Sequence, residues 1–114
     1  MRDHRELRAF DLADELALAI YRATGKFPRE ELFGLTSQMR RCAVSIASNI
    51  VEGCGRRTEA DYVRFLDTAN ASARELEYQL SLYVPPAEIE PLSQLAGETN
   101  KVLAALIRAL RNSS

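Results

Sequence analysis

The feature that most constrains the fold is a run of apolar residues spaced alternately four and three apart within one segment of the chain. Its members are Tyr62, Leu66, Ala69, Ala73, Leu76, Leu80 and Tyr83. Positions with this spacing lie along one face of an α-helix, where they pack against neighbouring helices. Two central alanines, Ala69 and Ala73, allow a neighbouring helix to approach closely. The segment therefore predicts a helix that runs the length of a helical bundle.

Proline and glycine divide the rest of the chain into further helical blocks, and no stretch alternates with the period of a β-strand for long enough to propose a sheet. Gly25 and Pro28 end the first block, Gly53 to Gly55 end the second, and Val84-Pro85-Pro86 closes the third. The predicted helices cover about residues 6–24, 36–52, 58–83 and 87–110. Long helices joined by short turns favour antiparallel neighbours. The prediction is an all-α, antiparallel up-and-down four-helix bundle in which residues 1–114 form a single domain.

The composition places the chain among ordinary globular domains. It has 114 residues, of which 46% are hydrophobic and 27% charged, so it has enough core to fold without disulfides or metals. No apolar run is long enough to cross a bilayer, and residues 1–6 lack an apolar signal region. We therefore expect a cytoplasmic protein with no membrane contact.

The residue types that catalysis and metal binding require do not occur in a suitable pattern. If the second helix continues to Gly53, Cys42 and Cys54 lie about 18 Å apart along its axis, which is beyond disulfide reach, and they are expected to be a core thiol and a loop thiol. The single histidine, His4, lies in an N-terminal segment expected to fray, and Ser45 and Ser48 have no histidine to activate them. We expect no catalytic activity, no cofactor and no metal site.

The second predicted helix carries apolar residues on two opposite faces. One face, with Met39, Ile46 and Ile50 among its members, has the spacing of a core stripe. Nearly opposite lie three further apolar residues: Val44, Ala47 and Val51. Because the face opposite the core is normally solvated, this second stripe predicts a second contact, either within the chain or with another copy of the chain. Contact with another subunit is the leading prediction for these three residues.

A band of polar residues separates these two faces, and we call it the polar stripe. It comprises Gln38, Arg41, Ser45, Ser48, Asn49 and Glu52. Arg41 and Glu52 are about three helical turns apart and cannot pair along one straight helix. Their partners are therefore expected on another helix or on another subunit.

Four arginines form a candidate contact with nucleic acid or another anion, because the second and third helices meet at the turn beside them. They are Arg40, Arg41, Arg56 and Arg57. The glycines at 53 and 55 precede a helix N-terminus, where backbone N–H groups favour anions, but neither a dinucleotide fingerprint nor a P-loop is present. The net charge of -1 lacks the basic excess typical of nucleic-acid-binding proteins. A local patch still binds acidic partners when its own carboxylates do not neutralise it.

An ordered series of motifs through most of the chain is similar to a known family. The series comprises Ile20-Tyr21, Phe27-Pro28-Arg29-Glu30-Glu31, Phe33-Gly34-Leu35-Thr36-Ser37-Gln38-Met39-Arg40-Arg41, Ser45-Ile46-Ala47-Ser48-Asn49-Ile50-Val51-Glu52-Gly53, Gly55-Arg56, Phe65-Leu66, Ala69, Ser72 and Glu75-Leu76. Over about residues 7 to 83 the chain closely resembles the four-helix bundle family once labelled ribosomal protein S23, whose first members were found encoded in intervening sequences of bacterial 23S ribosomal RNA genes.

Several positions depart from the usual pattern of that family. Ala47 replaces a common proline, Val51 a common alanine and Ala71 a common glycine, and Phe10 stands near the place of a frequent tryptophan. These changes alter packing more than chemistry and leave the expected fold intact.

The resemblance implies a closed bundle that assembles into a ring-shaped homopentamer with no known catalytic activity. The leading prediction is therefore a homo-oligomeric, pentameric scaffold or adaptor whose partner is itself, together with RNA or another protein. The alternative is an RNA- or DNA-binding accessory protein that repeats its arginines around the ring. A related accessory protein of diversity-generating retroelements acts on nucleic acid through a strongly basic surface, which this chain lacks.

Overall fold

A computed structural model describes residues 2–83 and 86–113, without the side chains of residues 83 and 86–88. Within this part the chain forms four long helices: α1 (Arg8–Thr24), α2 (Leu35–Cys54), α3 (Glu59–Tyr83) and α4 (Pro86–Asn112). Two short 3-10 turns, His4–Glu6 and Arg29–Glu31, precede α1 and α2. The described residues contain no β-strand. The predicted all-α fold is confirmed, whereas Val84 and Pro85, predicted to help close α3, lie outside the described residues.

The four helices pack in cyclic order around one core. α1 contacts α2, α2 contacts α3, α3 contacts α4, and α4 returns to contact α1. In the described residues, no Cα atoms of the diagonal pairs, α1 with α3 and α2 with α4, lie within 8 Å of each other. The molecule measures 46 × 22 × 19 Å. This arrangement is a closed up-and-down bundle, joined between α1 and α2 by residues 25–34 and between α2 and α3 by residues 55–58.

The predicted apolar seam of α3 lies in the core. Its described side chains are all buried: Tyr62, Leu66, Ala69, Ala73, Leu76 and Leu80. They pack with the largest fully buried side chains of the other helices, namely Leu16, Ile20, Met39, Ile46, Ile50 and Leu103. Each fully buried aliphatic side chain of this size stabilises the fold by about 1.5–3 kcal/mol relative to exposure.

The junction of α2 and α3 differs from the prediction. α2 continues through Gly53 to Cys54, and both residues are buried. Cys54 is therefore a core thiol, and the expectation of a loop thiol is wrong, because a glycine at position 53 removes the side chain that would keep α3 away. Gly55 then ends the helix, and Thr58 caps the start of α3, because its Oγ1 accepts a hydrogen bond from Asp61 N at 3.1 Å.

Candidate functional site

The three residues predicted to contact another subunit occupy the outer side of α2. Val44 and Val51 retain 41% and 40% of their exposure, so the bundle itself does not cover them. Ala47 is half-buried and packs against the edge of the core. The single chain thus leaves an apolar stripe open on α2, while contact of this stripe with another copy stays a prediction.

Arg40 lies on the α1 side of α2 and binds the end of α1. Its Nε donates to Thr24 Oγ1 at 2.9 Å, and its guanidinium lies 4.6 Å from the centre of the Tyr21 ring. Thr24 is buried and donates its own hydroxyl to the carbonyl of Ile20 at 2.7 Å. Arg40 therefore links α1 to α2 and is not a free surface cation.

Three of the six residues of the polar stripe, Gln38, Arg41 and Ser45, form one wall of an open groove of about 420 Å³ between α2 and α3, which we call the polar groove. The residues that line it are Gln38, Arg41, Cys42, Ser45, Ser72, Glu75 and Gln79. Ser45 Oγ and Ser72 Oγ share a hydrogen bond of 3.0 Å across the groove, and Asn49 Nδ2 donates to the Ser45 carbonyl at 2.8 Å. Ser45 therefore links α2 to α3, and Asn49 braces Ser45 from within α2.

One group in the polar groove lacks a hydrogen-bond partner within the described residues. Gln79 is 7% exposed, and its buried Oε1 accepts no hydrogen bond. A buried acceptor left in this state costs about 1–3 kcal/mol. The two charged residues of the groove, Arg41 on α2 and Glu75 on α3, form no ion pair with each other in the described part of the chain. The groove thus presents groups that a binding partner is able to satisfy.

Sequence reasoning did not identify Gln79. A glutamine beside the α3 seam carries no distinctive signal, because its burial depends on how α2 and α3 pack.

The two cysteines and the buried tyrosine are neutral at physiological pH. Burial, reinforced by the Glu75 carboxylate, raises the pKa of Cys42 from 9.0 to about 12. Burial also raises the pKa of Cys54, and it raises the pKa of Tyr62 from 10.0 to about 12. A thiol protonated at neutral pH is a poor nucleophile and a poor metal ligand. Across residues 2–83 and 86–113, no three His, Cys, Asp or Glu side chains come together as a metal site.

The four arginines predicted as one anion contact form two separate groups. Arg40 and Arg41 lie in the first turns of α2, whereas Arg56 and Arg57 follow its C-terminal end. Arg41 and Arg56 are therefore separated by about 22 Å along the helix axis. The expectation of a single patch within one chain is wrong. Arg56 and Arg57 lie at the turn between α2 and α3, whereas Arg40 and Arg41 lie near the opposite end of α2.

Arg56 and Arg57 instead share a concave region with a residue that sequence reasoning overlooked. This region, the arginine pocket, encloses about 580 Å³ and is lined by Arg2, Gly55, Arg56 and Arg57. Arg2 belongs to the N-terminal segment that the sequence predicts to fray, yet its guanidinium lies 4.0 Å from the centre of the Tyr62 ring. No pattern in the sequence signals this contact, since it joins the first turn of the chain to α3.

Glu52, the last residue of the polar stripe, points to the arginine pocket. Its Oε2 pairs with Arg56 Nη2 at 3.0 Å, four residues further along the chain. The expectation that Glu52 finds its partner on another helix or another subunit is therefore wrong. Because α2 ends at Cys54 and the chain turns at Gly55, the Arg56 side chain lies beside Glu52 in the last turn of α2.

Comparisons with known proteins agree with the fold. The family model described as 23S rRNA-intervening sequence protein matches residues 5–106. A crystal structure of a protein with unknown function from the S23 ribosomal protein family of Bacteroides thetaiotaomicron is similar to this chain, with a TM-score of 0.78 and 26% sequence identity. The similarity covers 88% of this chain and 95% of that one. No curated protein matches the sequence.

The helices give no sign of a membrane span. No helix within residues 2–83 and 86–113 is both long enough and apolar enough to cross a bilayer.

Proposed function

Because the chain belongs to the 23S rRNA-intervening sequence protein family, we propose that it acts as a non-enzymatic scaffold or adaptor and works as a cytoplasmic homo-oligomer. Five subunits is the number that the family resemblance implies. The observation that carries the proposal is the apolar stripe left open on α2, where Val44 and Val51 are 41% and 40% exposed. Half-exposed aliphatic side chains in line on one helix are typical of a surface that a partner covers.

The polar groove supports the same proposal and extends the surface. A stable interface buries about 800 Å² on each partner, which is more than Val44, Ala47 and Val51 supply alone. The groove lies beside the stripe on α2 and carries Arg41, which has no ion pair within the described part of the chain, and Gln79 Oε1, which has no hydrogen bond there. A neighbouring subunit that spans both features gains apolar contact and hydrogen bonds together.

The test is the mass of the particle in solution, measured by light scattering. The wild-type chain is expected to form a particle of several subunits, and Val44→Glu is expected to produce smaller particles with an unchanged helical circular dichroism signal. The matched control is Ala105→Glu, which places the same charge at an exposed position of α4. A Val44→Glu particle of wild-type mass, or a monomeric wild-type chain, contradicts the proposal.

The second candidate is an accessory protein that binds RNA or DNA, and the arginine pocket is the observation that favours it. Its prediction is binding of a short RNA that weakens with salt and falls steeply when Arg56 and Arg57 are changed to alanine. Binding that ignores both salt and these arginines contradicts this candidate. The matched control is Arg74→Ala, since Arg74 is an exposed arginine of α3 outside the pocket.

A further inference from the structure

The arginine pocket gathers three cations around one concave region. Among the residues that the structure describes, its lining consists of the three arginines and Gly55, which has no side chain to fill the space. Guanidinium groups present forked N–H donors that match the oxygens of a phosphate. The lining thus consists of donors for an anion and the backbone of a glycine.

Two of the three guanidinium groups are held in place by aromatic rings. Arg2 stacks on Tyr62 at 4.0 Å, and Arg56 stacks on Phe65 at 4.5 Å. Arg2 Nη1 also donates to the carbonyl of Arg56 at 3.4 Å. Groups fixed before binding lose less conformational entropy when a ligand arrives. Arg2 and Arg56 are therefore prearranged, whereas Arg57 is exposed and adjusts to the ligand.

The charges around the pocket leave an excess of positive charge. Glu52 is the carboxylate that pairs with an arginine of the pocket, and the pair is exposed, so it competes weakly with a ligand. Two other carboxylates near in sequence are paired elsewhere, Asp3 with Arg5 and Asp61 with Arg64. Glu59 lies near enough to act on Tyr62 and lines a different hollow, beside Leu110. The three arginines still outnumber the nearby carboxylates Glu52 and Glu59, and this excess favours an anion.

The arrangement suits one phosphate group better than a polynucleotide backbone. A backbone requires a row of cations, but Arg64 is paired with Asp61 and Arg41 lies about 22 Å away along α2. We propose that the arginine pocket binds a single terminal phosphate monoester, carried by a small phosphorylated compound or by the end of an oligonucleotide. This inference does not depend on the proposed assembly.

The experiment is calorimetric titration at low salt with inorganic phosphate, pyrophosphate and a nucleoside monophosphate. Arg2→Ala and Arg57→Ala are each expected to weaken phosphate binding by about tenfold, because each removes a charge-assisted contact. Arg74→Ala is the matched control, since Arg74 is an exposed arginine of α3 outside the pocket. Arg2→Lys keeps the charge but loses the planar fork, and we expect intermediate affinity.

Two oligonucleotides of one sequence, with a 5′-phosphate or a 5′-hydroxyl, identify the source of the phosphate. Tighter binding of the 5′-phosphate form than of the nucleoside monophosphate assigns the site to an oligonucleotide end, and equal or weaker binding assigns it to a small compound. The proposal is overturned by no binding of phosphate, by equal phosphate binding of wild type and the Arg2→Ala and Arg57→Ala variants, or by measurable binding of both oligonucleotides with equal affinity. Light scattering of the same samples reports separately whether the homo-oligomer exists.

Discussion

Gly53 of α2 and Phe65 of α3 lie so close together that a Cβ atom placed on Gly53 would stand 2.9 Å from the Cβ of Phe65. The same atom would stand 3.2 Å from Tyr62 Cδ1 and 3.3 Å from the Tyr62 carbonyl oxygen. Real Cβ atoms do not tolerate the first of these distances, so α2 and α3 approach here only because position 53 has no side chain. The same contact positions Tyr62 and Phe65 against α2, and their rings lie beneath Arg2 and Arg56 in the arginine pocket.

Gly53→Ala is therefore expected to destabilise the bundle, although alanine is the better helix former. The helix gains about 1 kcal/mol from the substitution, but the overpacking against α3 costs about 1–3 kcal/mol, and we expect the clash to dominate. Gly97→Ala is the matched control, because its Cβ would meet only Glu77 Oε2, at 3.8 Å. Urea unfolding is expected to show a loss of stability for Gly53→Ala and a gain for Gly97→Ala. A gain for both would mean that α2 and α3 are free to separate.

Arg40 and Arg41 are neighbours in sequence with different expected roles. Arg40→Ala removes the donor to buried Thr24 and the cation stacked on Tyr21, so we expect a loss of about 1–2 kcal/mol in the free energy of unfolding. Arg41→Ala, at an exposed position, is expected to change stability by less than about 0.5 kcal/mol. Chemical denaturation of the two variants measures the difference. Equal losses would contradict a bundle-specific role for Arg40.

A chain of amides links α3 to α4 and is expected to behave as a unit. Asn70 Nδ2 donates to Asn100 Oδ1 at 2.7 Å, and Asn100 Nδ2 donates to Glu77 Oε1. Removing either amide leaves a polar group of its half-buried neighbour without a hydrogen-bond partner. A double-mutant cycle of Asn70→Ala and Asn100→Ala is expected to give a coupling free energy above about 0.5 kcal/mol. Additive losses would show that water replaces each amide without cost.

The stability of the bundle is expected to fall in alkaline solution. Folding raises the pKa of Cys42 from 9.0 and that of Tyr62 from 10.0, in both cases to about 12. A group with a raised folded-state pKa stabilises the fold fully below its unfolded-state pKa, and this contribution is lost as the pH rises toward about 12. The free energy of unfolding, measured by urea at pH values between about 8 and 11, should decline above about pH 9. Cys42→Ala should make this decline less steep, and an unchanged slope would contradict the role of the thiol.

Tyr62 has a spectroscopic signature of its own. Because its pKa is raised to about 12, its phenolate absorbance should appear near that pH in the folded protein. Tyr62→Phe keeps the ring under Arg2 and removes the hydroxyl, so it should delete this late step from an absorbance titration. A titration with the same late step in Tyr62→Phe would assign it to another tyrosine.

The sequence predicts the fold well because helical periodicity is a local signal. The seam from Tyr62 to Leu80 and the breaks at Gly25 and Gly55 each depend on residues a few positions apart. The sequence predicts the end of α2 at residue 52, two residues too early, because a glycine such as Gly53 commonly ends a helix. Only its packing against Phe65 shows that the helix continues through it to Cys54.

The candidate site was harder to predict because its geometry depends on contacts distant in sequence. Arg2 stacks on Tyr62, a residue 60 positions further along the chain. Gln79 becomes a buried group without a hydrogen bond in the described residues only once α2 packs beside it. Arginine is usually a surface residue, so the sequence does not indicate that Arg40 binds Thr24 on α1; tertiary packing determines this contact. Charge and spacing identified the arginines but not their grouping.

Three of the four helix contacts join helices that are consecutive along the chain, and the fourth joins α1 to α4. This fourth contact is also the least extensive, whereas that of α2 with α3 is the most extensive. Pairing between distant segments carries the larger entropic cost of loop closure, so the α2–α3 hairpin is expected to form first and the α1–α4 contact last. An opened molecule then releases a terminal helix while the hairpin stays folded. Two opened molecules are able to trade these terminal helices and close again with every native contact restored, so the same fold contains a route to intertwined dimers.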